Sequence, residues 1–106
     1  MAELTRFEEQ ILLSVWRLNR NAYGSTIYNH IRDLTGRDLA IGGIYFPLER
    51  LVKKKYLESI QGKPTAVRGG QSKRYYRLTK SGLEELLKSL DLHQAFWKDL
   101  PDLDYL

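Results

Sequence analysis

The chain has 106 residues, 42% of them hydrophobic and 28% charged, which is typical of one globular domain rather than of a disordered or fibrous protein. It has no cysteine, which excludes disulfides and thiolate metal sites and agrees with a reducing cytoplasm. The start MAELTRFEEQ is acidic and polar, and no run reaches the ~20 apolar residues of a membrane span, so we expect a cytoplasmic protein without a membrane partner.

Positive charge is concentrated in the middle of the chain. The formal net charge is +4, but residues 50–80 carry ten lysines and arginines against one acid, Glu58, while acids outnumber bases on both sides. This concentration is typical of a surface that binds a polyanion. Solvated charges spread over one face are the alternative interpretation.

The first predicted helix begins after Thr5, because Glu8 lies three residues later and completes a capping box. An apolar stripe recurs at helical spacing and is expected to face the core: Phe7, Ile11, Val15 and Leu18. Leu12 and Trp16 fall on a different face, so this helix is expected to have a second apolar side.

The second and third helices are predicted on either side of a short extended stretch. The second spans about residues 23–34, ends at Gly36 and turns three residues inward: Ile27, Ile31 and Leu34. The third spans about residues 41–55 and turns three residues toward the core: Ile44, Leu48 and Leu51.

The rest of the chain is predicted to form a hairpin and a closing helix. Strands at 57–61 and 74–78 flank a basic loop, and the closing helix runs from residue 79 to about 100. The fold is therefore mainly α with a small β-hairpin, in a winged helix-turn-helix arrangement. We divide it into a winged DNA-binding domain, residues 1–80, and a C-terminal dimerisation helix with a short tail, residues 81–106.

The loop between the two strands is the wing of this arrangement. Gly69 and Gly70 permit a sharp turn at its tip and a close approach of the backbone to another surface. Four basic side chains of the wing and its base are expected to contact a phosphate backbone: Lys63, Arg68, Lys73 and Arg74.

The outward face of the third helix is expected to enter a major groove. If the core positions face inward, five other residues form this face: Gly42, Phe46, Glu49, Arg50 and Lys53. Arginine can reach guanine edges, an apolar ring can meet a thymine methyl, and glutamate can accept from cytosine. In the alternative arrangement, Phe46 packs under the wing and Arg50 pairs with Glu49.

Apolar residues outside the winged core indicate a dimer. A closing helix that exposed Phe96 and Trp97 alone would leave an apolar patch that soluble monomers rarely tolerate. We expect each closing helix to cover the first helix of a two-fold partner, with an interface of Leu12, Trp16, Leu83, Leu86, Leu87, Leu90, Phe96 and Trp97. In the alternative, the closing helix folds back on its own first helix.

Two motifs are the most specific parts of the chain: G-x-I-Y-x-x-L-x-R-L from Gly42 to Leu51, and R-G-G followed by R-Y-Y-x-L-T-x-x-G in the wing and the second strand. On these motifs, and over nearly its whole length, the chain resembles the PadR family of bacterial winged-helix transcription regulators, in particular a short subgroup often linked to transporter genes. The resemblance implies a homodimer that represses transcription from a pseudo-palindromic operator, with Tyr45 and the wing near the phosphates. Together the residues and the resemblance predict a DNA-binding set of Tyr45, Phe46, Arg50, Lys53, Lys54, Lys63, Arg68, Gly69, Gly70, Lys73 and Arg74.

The chain departs from the pattern of this family at two positions before and within the third helix. The usual serine cap is replaced by Ala40, which loses a cap worth about 1 kcal/mol. Pro47 is expected to lie inside the helix, where it would remove one backbone hydrogen bond and bend the axis.

Three functional hypotheses fit this sequence. The first is a dimeric DNA-binding repressor, the second a winged-helix module that docks an acidic partner, and the third a sensor that binds a small apolar effector among the aromatic residues of the dimer seam. His30 and His93 have no cysteine or carboxylate cluster to complete a metal site, and no phosphate-loop or nucleophile motif occurs. We therefore expect no metal, no cofactor and no enzymatic activity.

Overall fold

The computed structural model describes residues 3–62 and 73–105 and contains the predicted elements in the predicted order. These elements are helices α1 (Arg6–Leu18), α2 (Gly24–Thr35) and α3 (Tyr45–Lys53), strands β1 (Leu57–Gln61) and β2 (Arg74–Leu78), and the closing helix α4 (Lys80–Trp97). The strands form an antiparallel pair in which Leu57 lies opposite Leu78 and Gln61 opposite Arg74. The winged helix-turn-helix arrangement is therefore confirmed.

Helix α1 begins at the predicted capping box. The Thr5 N–H donates to Glu8 Oε1 at 2.9 Å, and the Glu8 N–H donates to Thr5 Oγ1 at 3.1 Å. The helix ends at Asn19, whose φ of 54° takes the chain out of the helical path. One expectation for this helix is wrong: Leu12 lies fully buried in the core, because it shares one face with Glu8 and Val15 at spacings of four and three residues.

Helix α2 ends where the sequence predicts. Gly36 adopts a left-handed conformation with φ 68°, and its N–H donates to the Arg32 carbonyl at 2.8 Å. The prediction for Leu34 is wrong, since its side chain is 74% exposed. The buried apolar residues of this helix are Ile27 and Ile31, whereas Leu34 lies on the same face but in the last turn, one residue before the helix ends at Thr35.

The segment before α3 differs from the prediction, and the difference places Pro47 at a position where helices tolerate proline. Residues Ile41–Ile44 form a 3-10 turn, and α3 begins only at Tyr45. Pro47 is therefore the third residue of the helix and lies in its first turn, where the missing N–H would have no intrahelical partner in any case. The expectation that Pro47 lies inside the helix is thus wrong. Ala40 makes no side-chain cap, as predicted.

The three helices and the hairpin share one apolar core. The hairpin is also hydrogen-bonded to the chain before α2. The Tyr76 N–H donates to the Ala22 carbonyl at 2.9 Å, and Tyr23 forms an isolated antiparallel β-bridge with Tyr75. The buried apolar residues are Ile11, Leu12, Val15, Ala22, Ile27, Ile31, Ile44, Leu48, Leu51, Leu57, Tyr76 and Leu86. This shared core holds α3 and the base of the wing in fixed relative positions.

Helix α4 leaves this core at a defined point and extends away from it. Thr79 caps it by accepting from the Gly82 N–H at 3.0 Å, and a Cβ on Gly82 would collide with the Tyr56 carbonyl, so only glycine permits this approach. Leu86 is buried in the core of its own chain, which corrects its assignment to an exposed dimer face. The molecule is 59 Å long with a radius of gyration of 16.3 Å, against about 13 Å for a compact domain of this length.

Candidate nucleic-acid interface

The outward face of α3 is exposed and carries the predicted aromatic and charged side chains. Phe46 is 74% exposed, so it does not pack under the hairpin. The Arg50 guanidinium lies over the Phe46 ring, 5.6 Å from its centroid, and the Arg50 side chain remains 45% exposed. Tyr45 and Lys53 are also exposed, and the Tyr45 ring lies against Gly24 at the start of α2. The face thus combines an apolar ring with cationic donors on one short helix.

The charges on this face are paired differently from the predicted alternative. Glu49 does not pair with Arg50; its Oε1 accepts from Arg74 Nη1 on β2 at 2.9 Å. Burial raises the pKa of the neighbouring Tyr76, and the Glu49 charge adds to this rise. The ion pair joins α3 to the base of the wing, so that the two elements present one continuous surface.

Arg50 and Lys54 pair instead with Glu8 of α1. Glu8 Oε2 lies 3.4 Å from Arg50 Nε and 3.4 Å from Lys54 Nζ, and the Glu8 side chain is only 3% exposed. Burial alone raises the pKa of this carboxyl, but the hydrogen bond from the Thr5 backbone and the charges of Lys54 and Arg50 outweigh it and leave the pKa below its ordinary value of 4.5. Glu8 is therefore a buried carboxylate held in the ionised form.

Sequence reasoning assigned Glu8 only a capping role and missed its contact with α3. A signal was present, because Glu8 lies one turn before Leu12 on a face that the core requires to be apolar. A glutamate at such a position needs a cationic partner. The sequence does not reveal that this partner lies 42 residues away at Arg50 and 46 away at Lys54.

The described base of the wing adds basic and aromatic groups beside α3. Lys73 Nζ lies 4.2 Å from the centroid of the Tyr23 ring, and Tyr23 meets Tyr75 edge-on at 5.5 Å. The Gly62 N–H donates to the Lys73 carbonyl at 2.7 Å, which continues the strand pairing into the wing. Four predicted wing residues lie outside the described residues: Lys63, Arg68, Gly69 and Gly70.

A second surface lies between α1 and α4 and is apolar. A groove of about 420 Å³ is lined mainly by leucines together with Trp16, which is 60% exposed. Leu13, not Leu12, accompanies Trp16 there, because residues three apart on a helix share a face. The predicted interface residues Leu83, Leu87 and Leu90 also line this groove.

The end of α4 carries an aromatic pair. His93 and Trp97 stack with ring centroids 5.0 Å apart and an interplanar angle of 11°, and Phe96 is 80% exposed. They line a further cavity of about 580 Å³ with Leu4 and Leu92. The linings of the two cavities share three residues, Glu9, Ser89 and His93.

The described part of the chain offers no site for a metal. Within residues 3–62 and 73–105, no group of three His, Cys, Asp or Glu side chains is placed to hold an ion. His30 instead hydrogen-bonds the buried Ser14 hydroxyl through Nδ1 at 2.8 Å. Over the same residues, no helix has the length and apolar character needed to cross a membrane.

Comparison with known proteins agrees with this geometry. The profile of the transcriptional regulator PadR-like family matches residues 12–88. No curated protein sequence matches the chain. Among solved structures, the complex of hsRosR-S4 has a TM-score of 0.70 and 24% identity, and the match covers 95% of this chain and 78% of that one.

Two bacterial structures show the same fold. A PadR-like transcriptional regulator from Bacillus cereus has a TM-score of 0.66 and 24% identity, with 85% of this chain and 82% of that chain covered. A PadR family transcription regulator from Clostridium difficile has a TM-score of 0.65 and 22% identity, with 89% and 93% covered. The family match spans well over half of the chain, and the chain therefore belongs to the PadR-like family of transcriptional regulators, which are not enzymes.

Proposed function

We propose that this regulator is a homodimeric repressor that binds a pseudo-palindromic operator in the cytoplasm. The observation that carries the proposal is the outward face of α3, where Phe46, Arg50 and Lys53 are exposed beside the wing base. A short helix with an exposed ring and an arginine suits the major groove, where each base pair presents a distinct pattern of donors and acceptors.

The residues of this surface divide into two roles. Arg50 and Phe46 are the side chains that read base edges, through guanine and a thymine methyl. The other predicted residues bind phosphates and set the register without reading sequence: Tyr45, Lys53, Lys54, Lys63, Arg68, Gly69, Gly70, Lys73 and Arg74. The Glu49–Arg74 ion pair supports this division, because it keeps the wing base beside α3 before DNA arrives.

The exposed leucines of α4 support the dimer. Leu83, Leu87 and Leu90 lie on one face of α4, and Trp16 and Leu13 of α1 flank the same groove. We assign the interface to these residues and to Phe96 and Trp97, without Leu12 and Leu86, which are already buried within one chain. A two-fold axis through this contact places the recognition helices about one DNA turn or a multiple apart.

The groove between α1 and α4 also supports an effector site as a second function. Its volume of about 420 Å³ and its largely apolar lining are within the range of pockets for small molecules. A flat apolar compound that entered this seam would act on the dimer, and thereby on DNA binding. The gene under control, which the resemblance links to a transporter, remains a prediction from the sequence.

The decisive experiment selects bound fragments from genomic DNA and titrates the best operator against a shuffled duplex at two salt concentrations. Specific binding with a steep salt slope is expected, because released counterions drive the phosphate contacts. Failure to bind any fragment specifically, together with capture of an acidic protein, would instead favour the docking module.

A further inference from the structure

We infer that Glu8 is a positioning residue for DNA recognition: it fixes the side chains of Arg50 and Lys54 on α3 before DNA binds and thereby sharpens base preference. The inference rests on the proposed function, because it concerns the surface that would meet DNA. Glu8 lies on α1, outside the recognition helix, and acts only through the two cations.

The two oxygens of the Glu8 carboxylate make different contacts. Oε1 accepts from the Thr5 N–H at 2.9 Å and completes the helix cap. Oε2 lies 3.4 Å from both Arg50 Nε and Lys54 Nζ. One buried side chain thus ties the start of α1 to Arg50 in α3 and to Lys54, the residue that ends this helix. These two residues are four apart and therefore lie on one face.

The contact restricts Arg50 in a way that suits base recognition. The guanidinium is attracted on its Nε edge by the Glu8 carboxylate, whose Oε2 lies 3.4 Å from Nε in an ion pair, and it lies over the Phe46 ring at 5.6 Å. Because Glu8 approaches the Nε edge, the terminal nitrogens can serve as donors for a bidentate contact with a guanine edge. A side chain that is already oriented loses less conformational entropy on binding than a free one.

The same carboxylate has an opposite effect on affinity for DNA in general. Its negative charge is close to two cations of the binding surface, so it weakens their attraction for phosphates in every sequence. Glu8 should therefore lower non-specific affinity while it raises discrimination. A residue that served only the fold would not produce these two changes in opposite directions.

Glu8→Gln separates positioning from capping. Glutamine also serves at the third position of a capping box, so Oε1 can keep its bond to Thr5. Its amide nitrogen then faces Arg50 and Lys54 and offers them no acceptor. Glu84→Gln is the matched control, because it removes the same charge from an exposed residue of α4.

The first measurement needs no DNA. The order parameter of the Arg50 Nε–H group in the free protein should be high in the wild type and in Glu84→Gln, and roughly two-fold lower in Glu8→Gln. Equal order parameters in all three proteins would overturn the inference, whatever the DNA assays give.

The second measurement uses the selected operator and its single-base variants. Glu8→Gln should reduce discrimination at the base pair that Arg50 reads by at least three-fold, without weakening binding to the shuffled duplex. In an Arg50→Ala background the Glu8 change should have no further effect on that base pair. An undiminished preference in Glu8→Gln would overturn the inference alone, whereas absence of specific binding by the wild type would overturn the proposed function.

Discussion

The outward faces of α3 and α4 differ in whether contacts within the chain satisfy their side chains. On α3 and the adjoining strand, Arg50 pairs with Glu8 and Arg74 pairs with Glu49. On α4, by contrast, the leucines at 83, 87 and 90 are about half exposed, and among the described residues of this chain nothing covers them. The arginines of the α3 face are thus paired within the chain, whereas the leucines of the α4 face remain exposed.

This difference indicates how the two faces are used. Paired charges can exchange their partners for phosphates and bases, so the α3 face can remain in water until DNA arrives. Exposed leucines and aromatic rings gain no such compensation from water and favour burial against another apolar surface. Helix α1 contacts both regions, with Glu8 toward α3 and Trp16 toward α4. In the function proposed above, this helix links DNA binding to dimer formation.

The largest effect is expected from charges placed on the exposed apolar face of α4. Leu90→Asp combined with Trp97→Asp should convert the dimer to a folded monomer, because aspartate cannot be buried in an apolar seam without a partner. Operator affinity should fall about 100-fold or more, since the two half-sites are no longer bound by one molecule. Solution mass and operator titration measure the two effects.

The control for this experiment is Leu103→Asp, because Leu103 is exposed beyond the end of α4. It should leave both mass and affinity unchanged. A wild type that is a folded monomer at micromolar concentration would contradict both the interface and the palindromic site.

The next largest effect is expected from substitutions on the outward face of α3. Arg50→Ala should weaken binding to the correct operator by about 1–3 kcal/mol and relax preference at one or two base pairs. Lys53→Ala, on the same helix, should weaken all sequences about equally, since phosphate contacts carry no base information. A selection experiment that returns the wild-type base preference for Arg50→Ala would contradict the reading role.

The two faces also show what could be predicted from the sequence. The helices and the two strands follow from local patterns such as the Thr5 cap, the Gly36 stop and apolar spacing, whereas the sequence left open whether Phe46 is exposed. The prediction for Leu12 is wrong because a leucine beside Ile11 fits either side of α1, and the sequence does not show how the helices pack around it. The Glu8 contacts could not be predicted, since they join residues far apart in the chain.

A smaller effect separates a lysine beside the α3 face from one on α4. Lys73→Ala should reduce the slope of log affinity against log salt by about one unit, because one phosphate contact is lost. Lys88→Ala removes the same charge from α4, where the ammonium pairs with Glu85 at 3.3 Å, and should leave the slope unchanged. Titrations at several salt concentrations decide, and equal slopes for Lys73→Ala and wild type would remove the phosphate role.

The smallest effect is expected in the stability of the free protein, which tests the ion pairs of Glu8 with Arg50 and Lys54. The pKa of Glu8 in the folded state lies below its ordinary value of 4.5, so the ionised carboxylate stabilises the fold above that pH. This contribution is lost as the pH falls through the lowered pKa, where Glu8 becomes protonated in the folded chain. Glu8→Gln should therefore be less stable than wild type by about 1 kcal/mol at pH 7, the magnitude of a hydrogen bond to a charged group after partial exposure of its partners. The difference should shrink as the pH is lowered below 4.5. Denaturant unfolding from pH 7 to pH 3, at one protein concentration, measures it, with the exposed Glu84→Gln as control. A difference that stays constant over this range would mean that the ionisation of Glu8, and hence its ion pairs with Arg50 and Lys54, contributes nothing to stability.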